Sequence, residues 1–372
     1  MELDLTDEQK MLTDAVNSLL EKRYDANTRL DLLEKDDLGW SRDMWKQYAE
    51  LGLLGLTFDE QYGGAGMGVG ELSVVMEAFG RALVLEPFVA TVVLGGALVA
   101  AAGTPEQKQE ILPGVAGGDT LLAFAHTEAG SRWSITDITT TATQSGDSYT
   151  LSGEKVAVLG GDVADRLIVS ALVDGSVALF VVDGSDVVRS PYKMQDGLGG
   201  ADVLLADTPA RLLGTSTDAL EHIGSVLDVA TAALCAEAVG AMERMLWLTV
   251  DYLKTRVQFG QPISVFQALQ FRAADMYVAY EQAKSMAIMA RLALADDDVV
   301  ERRRAVGAAK VQIDLSSRKV GQDAIQLHGG IGMTMEYPVG HYVKRTAVIA
   351  KTFADTDTLL ETVGADGGLI KP

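Results

Sequence analysis

Apolar residues recur at helical spacing over both ends of this chain and alternate over its middle. Thr6 opens a T-D-E-Q capping box with Gln9 three residues on, and the helical periodicity runs to Leu20. Further helical segments are predicted at Asp43–Leu51, Gly70–Ala82, Ala90–Ala102 and Pro105–Ala116. EQYGGAGMGVG, between Asp59 and Gly70, is too rich in glycine for a helix and is predicted as a surface loop. From about Thr120 the texture changes. TLLAFAHTE, ITTTATQ, SYTLSGEKVAVL, RLIVSALV and VALFVVD are rich in β-branched residues and bounded by glycine and aspartate, which predicts strands. Ser145-Gly146-Asp147-Ser148 reads as a hairpin turn. From about Thr217 long helices return: one through Arg256, a second over Ser264–Ala295 and a third over Glu301–Leu327, with ADDD and ERRR at the polar corner between the last two. No internal repeat is visible. The prediction is an α+β chain of three domains: a helical one at 1–118, a β one at 119–214 and a helical bundle at 215–372.

Composition narrows the class. A chain of 372 residues buries a sizeable core, and 48% hydrophobic against 22% charged residues excludes disorder. A single cysteine, Cys235, excludes an internal disulfide framework and suits a reducing compartment. The start, MELDLTDEQK, is acidic where a secretory signal is basic and then apolar, so a cytoplasmic location is expected. The uncharged run Phe88–Gly103 falls short of the roughly 18 residues of a bilayer span and reads as a buried helix. A net charge of −21 argues against nucleic acid and anionic membranes as partners. No metal-ligand set is read from the sequence.

Two segments carry candidate binding chemistry. Gln326-Leu327-His328-Gly329-Gly330-Ile331-Gly332 follows a long helix; its adjacent glycines let backbone approach a pyrophosphate, and the flanking amide can donate to the same oxygens. Arg256-Val257-Gln258-Phe259-Gly260-Gln261-Pro262 offers a guanidinium for a phosphate and an aromatic face for a ring. Either alone is also what an ordinary helix end looks like. Together, as YLKTRVQFGQPISVFQALQFRAADM and then AIQLHGGIGMTMEYPVGHYVKR about 70 residues on, they resemble the C-terminal signatures of the acyl-CoA dehydrogenases.

The resemblance covers essentially the whole chain: AFAHTEAGS is similar to the family's flavin-facing strand, and GDSYTLSGEKVAVLGGDVADRLIVSA to the segment after it. It implies a helical N-terminal domain, a β-barrel-like middle domain and a C-terminal four-helix bundle, assembled as a dimer of dimers. It also implies FAD held between two subunits, an acyl-CoA substrate and an electron-transferring flavoprotein as acceptor. Carried over residue by residue, Arg256, Gln258, Phe259, Gln326, His328, Gly329 and Gly330 form the half-site that reaches a neighbour's flavin. Phe124, His126, Thr127 and Ser131 form the half facing this chain's own flavin ring.

That second half departs from the family. The proline and one residue of the familiar T-E-P-x-A-G-S are missing around Ala129. Ala157 stands where a tryptophan is common, and Leu159 where a hydroxyl bonds the ring edge. Each loss should weaken flavin binding by roughly 1 kcal/mol. The alternative is a subfamily that cradles its flavin differently. The base departs too. Removing the α-proton of a thioester takes a carboxylate within direct reach, yet the two positions where the family places its glutamate carry Ala354 and Ala230. Asp355 and Asp228 lie nearby as weak candidates, and Glu237 reads as structural. Three readings follow: the small, non-catalytic subunit of a heteromeric enzyme, completing the flavin site of a homologous large subunit; a self-sufficient homo-oligomer with an unorthodox base; or a flavin-free assembly protein. LGLLGLTFDEQYGGAG, ALVLEPFVATVVLGG and CAEAVGAMERM resemble small subunits of the pimeloyl-CoA dehydrogenases, which favours the first.

Overall fold

The computed structural model describes residues 5–35, 38–146 and 148–365. Residues 1–4 of the acidic start and Asp147 of the hairpin turn lie outside the described residues. In chain order the helices are α1 (Asp7–Arg23), α2 (Ala26–Lys35), α3 (Arg42–Glu50), α4 (Val69–Ala82), α5 (Ala97–Ala102), α6 (Pro105–Ala116), α7 (Leu220–Thr255), α8 (Gln267–Ala293), α9 (Val299–His328), α10 (Val339–Ile349) and α11 (Thr356–Ala365). Between α6 and α7 run β1 (Leu122–Ala125), β2 (Thr141–Ser145), β3 (Ser148–Leu159), β4 (Arg166–Val173), β5 (Ser176–Asp183), β6 (Val188–Lys193) and β7 (Gly199–Leu212). A helical N-terminal part, a β middle part and a helical C-terminal part are therefore present, as the hydrophobic pattern predicts.

Two compact units can be described separately. Of the described residues, one unit gathers those up to Arg29, Val69–Val84 and those from Thr231 on; the other gathers those within Leu30–Gly68 and Leu85–Ala230.

In the first unit α4 meets α7 with their backbones almost touching. A Cβ on Gly80 would lie 1.9 Å from the Glu237 carbonyl oxygen, and one on Gly240 equally close to that of Glu77. No residue but glycine fits either place. A bidentate ion pair, Arg345 Nε and Nη2 to Glu237 at 2.5 and 2.7 Å, ties α10 to α7 inside the core. The Thr6 capping box forms as expected, with Gln9 N 3.2 Å from Thr6 Oγ1 and Thr6 N 3.1 Å from Gln9 Oε1. By length and composition α7 qualifies as a membrane span, but 83% of its apolar window is buried in the protein, as befits a core helix.

In the second unit β4, β5, β7, β3 and β2 close on one another as a barrel, β1 adding in parallel to β4 and β6 antiparallel to β7. Inward-facing Ala123, Ala125, Leu167, Val169, Phe180 and Val203 belong to its core. Side chains alternate along a strand, so Phe124 of β1 and His126 just after it lie on the outer face. The segment expected as one helix over Ala90–Ala102 is wound as a π-helix, Val89–Gly96, before it becomes α5. Its Thr91 hydroxyl sits 3.1 Å from the Leu122 carbonyl and 3.2 Å from the Leu122 amide, which fastens it to β1.

Candidate functional site

The two C-terminal motifs, about 70 residues apart in sequence, meet in an aromatic cluster. Tyr252 lies on α7 one turn before Arg256, and its ring stacks on His328 at the end of α9, centroids 4.5 Å apart. Tyr337 packs on both, 6.2 Å from Tyr252 and 4.8 Å from His328. His328 Nδ1 lies 2.8 Å from the Ala324 carbonyl, which only accepts, so this nitrogen carries the proton. Nε2 then accepts from the Tyr337 hydroxyl at 3.2 Å. Burial lowers the imidazole's pKa and keeps it neutral. His328 is thus buried with both ring nitrogens engaged inside the chain, and its part here is to set the turn that follows. Neither tyrosine was singled out in the sequence, because only the fold shows that they share a stack.

Around this stack the remaining residues face outward. Arg256, Gln258, Phe259, Gln326, Gly329 and Gly330 are all exposed. Arg256 makes no ion pair among the described residues. Gln258 Nε2 donates to the Val257 carbonyl at 2.7 Å. Gly329 has φ +64°, a conformation that residues with side chains avoid, and a Cβ at either Gly329 or Gly330 would meet nothing within 4 Å. The backbone there is open to an approaching group.

Phe259 and Gly260 form a two-residue turn between Gln258 and Gln261, with φ +55° and +77°. Glycine suits such a turn, whereas phenylalanine is strained in it. The ring is held out from the surface, 89% exposed, against only the edge of Phe266 at 6.0 Å. Phe259→Gly is therefore expected to stabilise the protein by about 1 kcal/mol in urea unfolding. A loss of stability would show that the Phe266 contact outweighs the strain.

The outer face of β1 is built quite differently. Lys155 is fully buried, and its ammonium donates to Glu128 Oε1 at 2.7 Å, the His126 carbonyl at 3.2 Å and Ser170 Oγ at 3.2 Å. Glu128 also accepts from the amides and hydroxyls of Thr139 and Thr140 at 2.5–3.0 Å. Burial pushes this carboxyl up, but the bonds from Lys155, Thr139 and Thr140 outweigh it and hold it at about 2. Ser170 accepts from Lys155, so its own proton is free for His126 Nδ1 at 2.9 Å. Burial, then the neighbouring ammonium, lower His126 to about 4, and the ring is neutral with its proton on Nε2. That nitrogen is buried without a hydrogen-bond partner among the described residues. Phe124 stacks on the same imidazole at 5.1 Å, and both rings are buried. Glu128 and Lys155 stood within the quoted T-E and G-E-K stretches, yet periodicity assigned them no role; their pairing needs the closed barrel.

The other groups of this face are spent locally. Ser131 Oγ lies 3.1 Å from both the amide and the carbonyl of Glu128, closing its own turn. The Thr127 carbonyl accepts from Val156 N at 2.8 Å. Ala157 sits in a bulge of β3, φ +53°, with its amide donating to Asp202 Oδ1 at 3.0 Å. Tyr192 donates its hydroxyl to that same oxygen at 3.1 Å. Leu159 is half-buried and offers no donor.

The carboxylates nearest in sequence to the two alanines are engaged. Ala354 is buried after Phe353, which has φ +66°. Asp355 beside it starts α11, taking the Thr358 amide at 3.0 Å and Lys351 at 3.1 Å. The Thr358 and Lys351 bonds lower this carboxyl to about 2, too weak a base for a proton at carbon near neutral pH. Ala230 is buried on α7; Asp228 is buried too and has a partner of its own.

Comparison with known proteins accounts for this layout. Residues 6–119 match the acyl-CoA dehydrogenase N-terminal domain, and residues 220–358 the C-terminal domain. The chain is 33% identical over 356 residues to the probable acyl-CoA dehydrogenase YngJ of Bacillus subtilis, covering 91% of this chain and 92% of that one. Among solved structures it is similar to a variant of the Tcur3481-Tcur3483 steroid ACAD, with 30% identity, a TM-score of 0.88 and 97% of each chain covered. It is also similar to the ChsE4-ChsE5 complex of Mycobacterium tuberculosis, with 26% identity, a TM-score of 0.89 and 98% of each chain covered. Fold, motifs and full-length similarity agree: this chain is a member of the acyl-CoA dehydrogenase family, FAD-dependent oxidoreductases acting on CH–CH bonds.

Proposed function

We propose that this chain is the non-catalytic subunit of a heteromeric acyl-CoA dehydrogenase, completing the flavin site of a homologous subunit that supplies the base. One observation carries the reading: both base positions hold buried alanine and Asp355 is committed to a helix start, while Arg256, Gln326 and the open Gly329–Gly330 backbone remain exposed. A chain that had lost its role altogether would have no use for an outward half-site held by a three-ring stack built on a buried histidine. The names of two structural relatives, a paired steroid ACAD and a two-protein complex, support a division of labour.

The exposed set fits the pyrophosphate and adenosine end of FAD. Arg256 would pair a phosphate, Gln326 and the glycine amides would donate to the same oxygens, and Phe259 would cover an apolar ring face. FAD, when bound, accepts the β-hydride of the acyl thioester. What this chain supplies is position: the Tyr252–His328–Tyr337 stack fixes the spacing of the phosphate donors. Electrons would leave to an electron-transferring flavoprotein, and the acyl group would be dicarboxylic, a steroid side chain or fatty.

The test is to purify the chain alone and with the homologue encoded beside it. Colourless protein alone and yellow protein in the complex are expected. Arg256→Ala should weaken flavin binding by the complex roughly thirtyfold, about 2 kcal/mol, in a titration of the visible absorbance. A yellow chain that an acyl-CoA bleaches without any partner would overturn the proposal.

A further inference from the structure

Of the two half-sites, only one is available to a ligand. On the outer face of β1 three groups that could meet a flavin ring are engaged within the chain. The Ser131 hydroxyl closes the Glu128 turn, the Thr127 carbonyl takes the Val156 amide, and the Ala157 amide is held by Asp202. Tyr192 places its own hydroxyl on that carboxylate. Phe124 and His126 stack on each other, buried, and the one polar atom left over, His126 Nε2, is sealed from solvent. Ala157 and Leu159 add neither an aromatic face nor a donor.

We infer that the β1 face of this chain does not take an isoalloxazine, so that an assembly with the homologous subunit holds one flavin for each pair of chains and not two. The inference deepens the proposed function, on which it rests, by assigning Asp202 and Tyr192 as the residues that shut the site. Asp202 binds the bulge at Ala157 from β7, so its carboxylate occupies the amide that a ring acceptor would need. The missing tryptophan and hydroxyl lower what a ring could gain. The local bonds of Ser131 and Ala157 raise what it would have to displace.

The experiment is a count. The complex is purified, its flavin released by denaturation and measured by absorbance, and the amount divided by that of each chain. One flavin per pair is expected, unchanged in Phe124→Ala and His126→Ala and lowered in Arg256→Ala. Two flavins per pair, with half of the flavin lost in His126→Ala, would overturn the inference and leave the subunit reading standing. One flavin on each copy of the chain purified alone would overturn both. Reopening the site gives a second measurement: Ala157→Trp, Leu159→Thr and Asp202→Ala combined should raise the count towards two. Should that variant not fold, the wild-type count still decides.

Discussion

Replacing Lys155 by methionine is expected to lower the unfolding free energy by about 3–5 kcal/mol, measured by urea at pH 7. The ammonium is fully buried, and its three N–H groups go to Glu128, the His126 carbonyl and Ser170. Methionine fills a similar volume but leaves a buried carboxylate without its counter-charge. Thr139 and Thr140 still donate to Glu128, so the loss should fall toward the lower end of that range. Glu128→Gln should cost a similar amount, because the ammonium would then be the unpaired charge. The two changes combined should cost less than their sum, as expected for partners in contact. The pair also sets an acid limit. Glu128 titrates at about 2 in the fold against 4.5 ordinarily, so its contribution is complete above about 4.5 and disappears as the pH falls to about 2. In Lys155→Met that acid-side loss should shrink. A drop below 1 kcal/mol at pH 7 would mean that the threonines alone satisfy the carboxylate.

The second large effect has the opposite sign. Glu86→Gln is expected to stabilise the protein by about 3 kcal/mol at pH 8 and to be neutral at pH 4. Glu86 is buried in the second unit, accepting from the Ser41 amide at 3.1 Å and the Tyr48 hydroxyl at 3.3 Å. Burial outweighs those bonds and pushes it to about 7. An acid whose pKa is higher in the fold than in the unfolded chain holds its proton more tightly when folded. Stability from this group therefore falls as the pH rises from about 4.5 to 7 and is flat above. Glutamine keeps the acceptor for Ser41 and has no proton to lose, so the slope should vanish. Parallel stability curves for the two proteins from pH 4 to 8 would refute the assignment of that slope to Glu86.

Much of the fold could be read from periodicity. The long helices α7, α8 and α9 appear within a few residues of their predicted ends, since helices of 27 residues or more repeat their apolar spacing many times. Short elements were less legible. Helices α2, α10 and α11, of 10 or 11 residues each, were not marked, because so few turns repeat little pattern and tertiary packing decides their state. The π-helix before α5 was invisible for a related reason: its winding answers to Thr91 bonding across to Leu122.

The site divides along the same line. Residue type and spacing were enough for Arg256, Gln326 and the glycine pair, and the two alanines at the base positions needed no structure to be noticed. What the sequence by itself determined was membership: which chemistry this chain has the residues for, and which carboxylate it lacks. The tertiary structure decided availability. Phe124, His126, Thr127 and Ser131 match a flavin-facing strand by type, but the closed barrel bonds the His126 ring to Ser170, the His126 carbonyl to Lys155 and the Thr127 carbonyl to Val156. A hydrogen-bonding group is free or spent according to what the fold sets within 3 Å of it, and residues distant in sequence meet at that range only in the folded chain.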